Sequence, residues 1–191
     1  MAGAHDQTGR GTPVASAGGP VCVTFDVRAI RDDEVAALSA LTVAAYGDLD
    51  MDIGDYRDEL ADVAGRVRNA DVLVAVGDGR VLGGVTYVGD ARNVYAEFDD
   101  ADGAGIRMLA VAANARGRGV GVALVDACIA LARARGRARI VLHTTDAMDV
   151  AQRMYRRLGF TRASARDWRP RAGVALLGYE LVLDAPPRVG R

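Results

Sequence analysis

The chain has 191 residues, half of them hydrophobic, enough for one globular domain with a substantial core. Lys and Arg total 24 against 25 Asp and Glu, so there is no basic excess to condense on a nucleic-acid backbone, and no nucleic-acid partner is expected. Two cysteines, Cys22 and Cys128, are too few for a disulfide framework, and neither sits in a CxxC or Cys/His cluster; a reducing cytoplasm is therefore expected, with no metal.

Residues 1–20 are rich in Gly, Ala, Ser and Pro and lack the apolar core of a signal peptide, so they read as a disordered tail. No apolar run approaches the ~20 residues of a membrane span, and no membrane partner is expected. Residues 21–27 alternate apolar and polar side chains, as a half-buried strand does. Asp32, Asp33 and Glu34 supply a first helical turn for Val35, Leu38, Leu41 and Val43. A second helix is predicted over 53–67, striped by Ile53, Tyr56, Leu60, Val63 and Val67.

The β-branched runs 72–76 and 81–88 flank Gly77-Asp78-Gly79-Arg80, a hairpin signal. Residues 89–104 are polar and glycine-containing, hence a loop, and 106–111 (IRMLAV) read as a central strand. From Gly119 a stripe of Val120, Leu124, Ala127, Cys128 and Leu131 predicts a helix closed by Gly136. Residues 138–143 form the next strand. A helix over 147–158 follows, capped by Thr145 or Asp146 and stopped by Gly159. Two strands, 161–165 and 174–183, complete the order β-α-α-β-β-β-α-β-α-β-β. One domain is thus predicted over 21–184, with a short tail at 185–191.

Gly117, Gly119 and Gly121 alternate between that central strand and its helix. Alternating glycines serve either a tight turn or a loop whose N–H groups and helix dipole hold phosphate oxygens, and Arg116 and Arg118 beside them favour the phosphate. The dinucleotide pattern GxGxxG fails, because Val122 and Leu124 stand where its third glycine would fall. No GxxxxGK[ST] run is present either, so NAD and ATP lose ground as ligands.

What remains, Arg116-x-x-Gly119-x-Gly121, resembles the pyrophosphate loop of the GNAT superfamily of acetyl-CoA-dependent N-acetyltransferases. The run LAVAANARGRGVGVAL (residues 109–124) is similar to that family's strand-loop-helix, and AMDVAQRMYRRLGF (147–160) to its tyrosine helix. The resemblance spans about residues 21–183. It implies an α/β (α+β) fold, with a mixed, mostly antiparallel twisted sheet of about seven strands and about four flanking helices. The implied activity moves an acetyl group from acetyl-CoA to a primary amine of a small molecule or a peptide terminus, by direct attack in a ternary complex. A non-catalytic acyl-CoA-binding module of the same fold is the alternative. Both allow a homodimer.

The resemblance also implies the site. Pantetheine pairs with the backbone of Leu109, Ala110 and Val111, and the Leu109 N–H faces the developing oxyanion. Amides of Arg116, Gly117, Arg118, Gly119, Val120, Gly121 and Val122 hold the pyrophosphate, with Gly119 and Gly121 giving the closest approach. Ala151 and Tyr155 contact the coenzyme from the second motif, and Tyr155 protonates the leaving thiolate or else packs as part of an apolar stripe. Glu97 is the best-placed general base, with Asp99 and Asp100 competing and a water chain as the other route. His143 reads as structural, and Arg156 serves either a phosphate or the helix dipole. Asp48, Asp50, Asp52, Asp55, Asp58 and Glu59 either attract a cationic amine or solvate a helix start, and Trp168 rims the acceptor site or pins its loop.

Overall fold

Asp78 and Gly79 both adopt positive φ, 50° and 70°, the handedness a two-residue turn needs to join right-twisted antiparallel strands. They link β2 (Asp71–Gly77) to β3 (Arg80–Val88). The computed structural model describes residues 24–49, 54, 56–171 and 173–183. The expected tails at 1–20 and 185–191, the first residues of the first predicted strand, and Ile53 lie outside them.

Around the hairpin the remaining strands are β1 (Asp26–Ala29), β4 (Gly103–Val111), β5 (Arg139–Thr144), β6 (Thr161–Arg162), β7 (Trp168–Arg171) and β8 (Val174–Val182). Their order is β1-β2-β3-β4-β5-β8-β6, with β7 also on β8. Among the described residues only β4 and β5 run parallel, and every other pair is antiparallel. The predicted fold class therefore stands, with eight strands and five α-helices among the described residues.

The helices are α1 (Val35–Gly47), α2 (Tyr56–Ala61), α3 (Val63–Asn69), α4 (Val120–Ala134) and α5 (Asp149–Arg157). Side-chain alternation along β2 assigns them to faces. Val72 and Val74 cluster with Leu38 of α1 and Val63 of α3. Ala75 joins Leu124, Cys128 and Ile129 of α4 and Tyr155 of α5 in the larger cluster on the other face.

Two glycines in β3 let these layers close. A Cβ at Gly84 would stand 2.5 Å from Leu38 Cδ1, and one at Gly83 would stand 2.7 Å from the Ala110 carbonyl oxygen and 3.1 Å from Val120 Cγ1. The Ala110 oxygen is backbone and has no room to yield, so Gly83→Ala is expected to lower stability by about 1–3 kcal/mol, the usual range for overpacking. A denaturant midpoint with unchanged slope checks it.

Several predicted bounds move for physical reasons. The predicted helix over 53–67 is two short ones, because the Asp62 carboxylate accepts from the Gly65 N–H at 2.7 Å and restarts the chain as the N-cap of α3. The last helix begins at Asp149, with Met148 and not Thr145 or Asp146 at its N-cap. Strand pairing starts at Asp26, later than expected, and β4 starts at Gly103, inside the predicted loop. Residues 161–165 pair for two residues only before a 3-10 turn, and Trp168–Arg171, read as a connection, is a strand on β8.

At the start of α1, Glu34 accepts two hydrogen bonds from Arg28, at 2.5 and 2.8 Å, and one from the Arg31 N–H at 2.9 Å. The Arg28 hydrogen bonds, then that of Arg31, hold its carboxyl down to about 2 against desolvation. A carboxyl depressed in the folded state contributes stability above its unfolded value near 4.5 and loses it as pH falls toward 2. Glu34→Gln is therefore expected to flatten the acid slope of stability between those limits, read as thermal midpoint against pH.

Candidate active site

The site begins where two strands part. β4 and β5 keep register from Gly103↔Arg139 to Ile106↔Leu142 and no further. Beyond that, β4 runs on to Val111 paired with β3 alone, and β5 to Thr144 paired with β8 alone. A bulge causes the divergence: between Gly84 and Thr86 on β3, β4 carries an extra residue, and Met108 takes φ 54°. The edge at Leu109, Ala110 and Val111 is thereby left without a β5 partner; Ala110 is buried and its two neighbours half-buried.

Past that edge the chain turns into α4. Gly117 and Gly119 have φ of 74° and 83°, and a Cβ on either would meet nothing within 4 Å. These two glycines are required by conformation. Gly119 is the N-cap of α4 with no side-chain cap, and the first helical bond returns from the Ala123 N–H to its carbonyl. The N–H groups of Val120, Gly121 and Val122 therefore precede the helical ladder and face outward along a positive dipole end, with no acid in the first turn. A Cβ at Gly121 would meet Met154 Sδ at 3.3 Å and Val111 Cγ2 at 3.6 Å, so this position also packs closely against α5. Arg118 is exposed, and Arg116, also exposed, ion-pairs with Asp48 at 2.8 Å.

A cavity of about 340 Å³ occupies the divergence, between Ile106, Arg107 and Met108 on one side and His143, Thr144 and Thr145 on the other. The acetyltransferase (GNAT) family model matches residues 30–160, two thirds of the chain. The chain belongs to the GNAT acetyltransferase family. Solved structures agree in fold. A GNAT-family acetyltransferase from Staphylococcus aureus Mu50 superposes with TM-score 0.70 at 17% identity, over 84% of this chain and 100% of that one. The Salmonella typhimurium protein yncA, solved with its cofactor acetyl-CoA, gives 0.64 at 22% identity over 84% and 94%. A GCN5-related N-acetyltransferase from Kribbella flavida gives 0.62 at 25% identity over 83% and 98%. No match is found among curated protein sequences.

In this GNAT domain Glu97 lines the cavity, whereas Asp99 is fully exposed and Asp100 ion-pairs with Arg166 at 2.6 Å. Arg107 Nη2 ion-pairs with Glu97 Oε1 at 2.9 Å and donates to Glu59 Oε1 at 3.1 Å. Burial pulls the Arg107 pKa down, but Glu97, Tyr56 and Glu59 outweigh it, so the guanidinium stays charged. His143, read as structural, is the other partner of Glu97. Its Nε2–H donates to the Arg166 carbonyl at 2.9 Å, which can only accept, and its Nδ1 stands 3.1 Å from Glu97 Oε2. Sequence reasoning named Glu97 but not Arg107, which follows it by ten positions and carries no motif.

From the acidic run, Glu59 reaches the cavity and Asp48 reaches Arg116, while Asp50, Asp52 and Asp55 lie outside the described residues. Trp168 lines the cavity with its ring edge-on to His143, 6.3 Å between centroids.

Tyr155 is only 5% exposed and packs against Phe160 and Tyr179, with centroids 5.7 and 6.4 Å away. It is not part of the cavity wall, although it lies within electrostatic reach of Tyr46, which is. Burial pushes its phenol pKa well above the ordinary value, so the hydroxyl keeps its proton. Ala151, one turn earlier, is half-buried. Arg156 is exposed and donates to Gln152 Oε1 and Tyr179 OH at 3.0 Å each. Among the described residues no helix is long and apolar enough to cross a membrane.

Proposed function

We propose that this GNAT domain transfers an acetyl group from acetyl-CoA to a primary amine of a small molecule or a peptide terminus, by direct attack with both substrates bound together. The observation that carries the reading is the parting of β4 and β5 after Ile106 and Leu142, beside an uncapped helix start. The residues present fit the coenzyme. Free N–H groups at 120–122, with the backbone and side chains of 116–119, suit a pyrophosphate. The unpaired edge at Leu109, Ala110 and Val111 suits the amides of pantetheine, and the α5 positions Ala151 and Tyr155 flank its thiol end. The relative yncA, solved with acetyl-CoA, supports the same ligand.

Acetyl-CoA supplies an activated thioester carbonyl. The Leu109 N–H stabilises negative charge developing on the carbonyl oxygen. Tyr155, protonated at neutral pH, is the donor for the departing sulfur. Glu97 takes the surplus proton of the amine directly or through a water; each of its oxygens, though engaged, keeps a second lone pair for this. No metal enters the scheme, and the cytoplasm is the setting proposed for it.

Thermal shift with acetyl-CoA, NAD and ATP tests the cofactor, because a ligand bound only by the folded state raises apparent stability. A thiol-release screen over amine classes tests turnover. The non-catalytic acyl-CoA-binding reading is favoured by one observation, the burial of Tyr155 among aromatic rings; it expects a shift with acetyl-CoA and no thiol release.

Glu97→Gln keeps the shape of the side chain and removes its basicity. It is expected to lower kcat by about tenfold or more and to abolish the alkaline rise of the pH–rate profile. An unaltered profile assigns proton removal to water.

A further inference from the structure

The cavity walls differ sharply in chemistry. On one side Tyr46 and Tyr56 meet edge-to-face, 6.3 Å between centroids and 68° between planes, and Met108, Met148 and Trp168 continue an apolar and aromatic surface. Charge is confined to one strip. Glu59 and Glu97 are its only carboxylates among the described lining residues, both share Arg107, and Glu97 also meets His143. With Arg107 between the two carboxylates and His143 against Glu97, the strip has no run of uncompensated acids. A polycation would need several uncompensated acids along the wall, and a peptide would bring backbone amides that an apolar wall leaves without partners.

Next to this strip lie two hydroxyls. Thr144 and Thr145 are 2% and 6% exposed, both line the cavity, and the Oγ1 of each is buried without a hydrogen-bond partner. Buried hydroxyls are nearly always satisfied, so this pair is an exception that a ligand would resolve. Thr144 closes β5 beyond its last contact with β4, on the wall opposite Met108. A hydroxyl oxygen can accept an N–H, leaving the nitrogen lone pair free for the thioester carbon.

We infer that the acceptor is a monoamine on an apolar, aromatic-sized body, with its amine head received by the hydroxyls of Thr144 and Thr145. This rests on the acetyl-transfer reading above. In the step, a bond forms between the amine nitrogen and the acetyl carbon while the carbon–sulfur bond breaks. The nitrogen's surplus proton passes to Glu97, and the sulfur takes one from Tyr155. A cavity of about 340 Å³ suits an arylalkylamine, since small-molecule sites run from roughly 300 Å³ upward.

Trp168 is the only tryptophan of the chain and lines this cavity, so its fluorescence reports occupancy without turnover. Titration of the full chain with 2-phenylethylamine, in the presence of coenzyme A, is expected to give a saturable change, and spermidine and an alanine-starting tripeptide little or none. With acetyl-CoA, kcat/KM for 2-phenylethylamine should exceed that for either comparator by at least about tenfold. Thr144→Val combined with Thr145→Val keeps the side-chain shape and is expected to lower that kcat/KM about tenfold or more, with the acetyl-CoA thermal shift unchanged. Thr144→Ser, which keeps the hydroxyl, should recover most of the loss of Thr144→Val. A tenfold preference for spermidine or the tripeptide would overturn the acceptor class. Unchanged kcat/KM in the double valine variant would overturn the hydroxyl role. Saturable phenylethylamine binding with no acetyl-CoA thermal shift would overturn the transfer reading alone and leave the apolar monoamine site standing.

Discussion

Replacing Tyr155 with Phe is expected to lower kcat by roughly tenfold to a thousandfold while acetyl-CoA binding changes little. The substitution keeps the ring between Phe160 and Tyr179 and deletes one hydroxyl, so packing is preserved and a stability effect is not the explanation of lost turnover. Burial keeps that hydroxyl protonated, as an acid must be. Single-turnover acetyl transfer in wild type and variant is the decisive comparison, because slow product release masks a chemical defect in kcat. Equal single-turnover rates in two folded proteins would return Tyr155 to a packing role and leave solvent as the proton donor.

The second large effect is expected at Gly119. Its φ of 83° lies where a side chain costs about 1–2 kcal/mol, and a β-branched one more, so Gly119→Val either strains the turn or shifts it out of the left-handed region. Both outcomes re-aim the N–H groups of Val120, Gly121 and Val122. Acetyl-CoA affinity is expected to fall at least about tenfold, which a 1.4 kcal/mol loss already produces. Because no atom lies within 4 Å of the added Cβ, no packed core is disturbed. Gly121→Val makes the contrasting case: it presses on Met154 and Val111, and is expected to reduce stability by about 1–3 kcal/mol. Calorimetric affinity beside a denaturation curve for each variant separates the two glycines. Unchanged affinity in folded Gly119→Val would remove the pyrophosphate from this loop.

Asp78-Gly79 determined the hairpin turn, and Gly136, at φ 65°, determined where α4 stops, because a positive φ is a local demand that few residues meet. The order of elements, the glycine loop and the family itself were legible for the same reason: periodicity and loop spacing are written in neighbouring residues. Four features were decided by tertiary structure. Met108 takes a positive φ that no methionine announces, and the bulge it makes parts β4 from β5. Trp168–Arg171 becomes a strand only because β8 offers an antiparallel partner. Glu97 and His143 meet across 46 positions, and Arg107 reaches Glu59 across 48. Gly121 stands against Met154, a residue of another helix. Each depends on which distant groups share a surface after folding, and pairing over such separations leaves no periodicity in the chain to read.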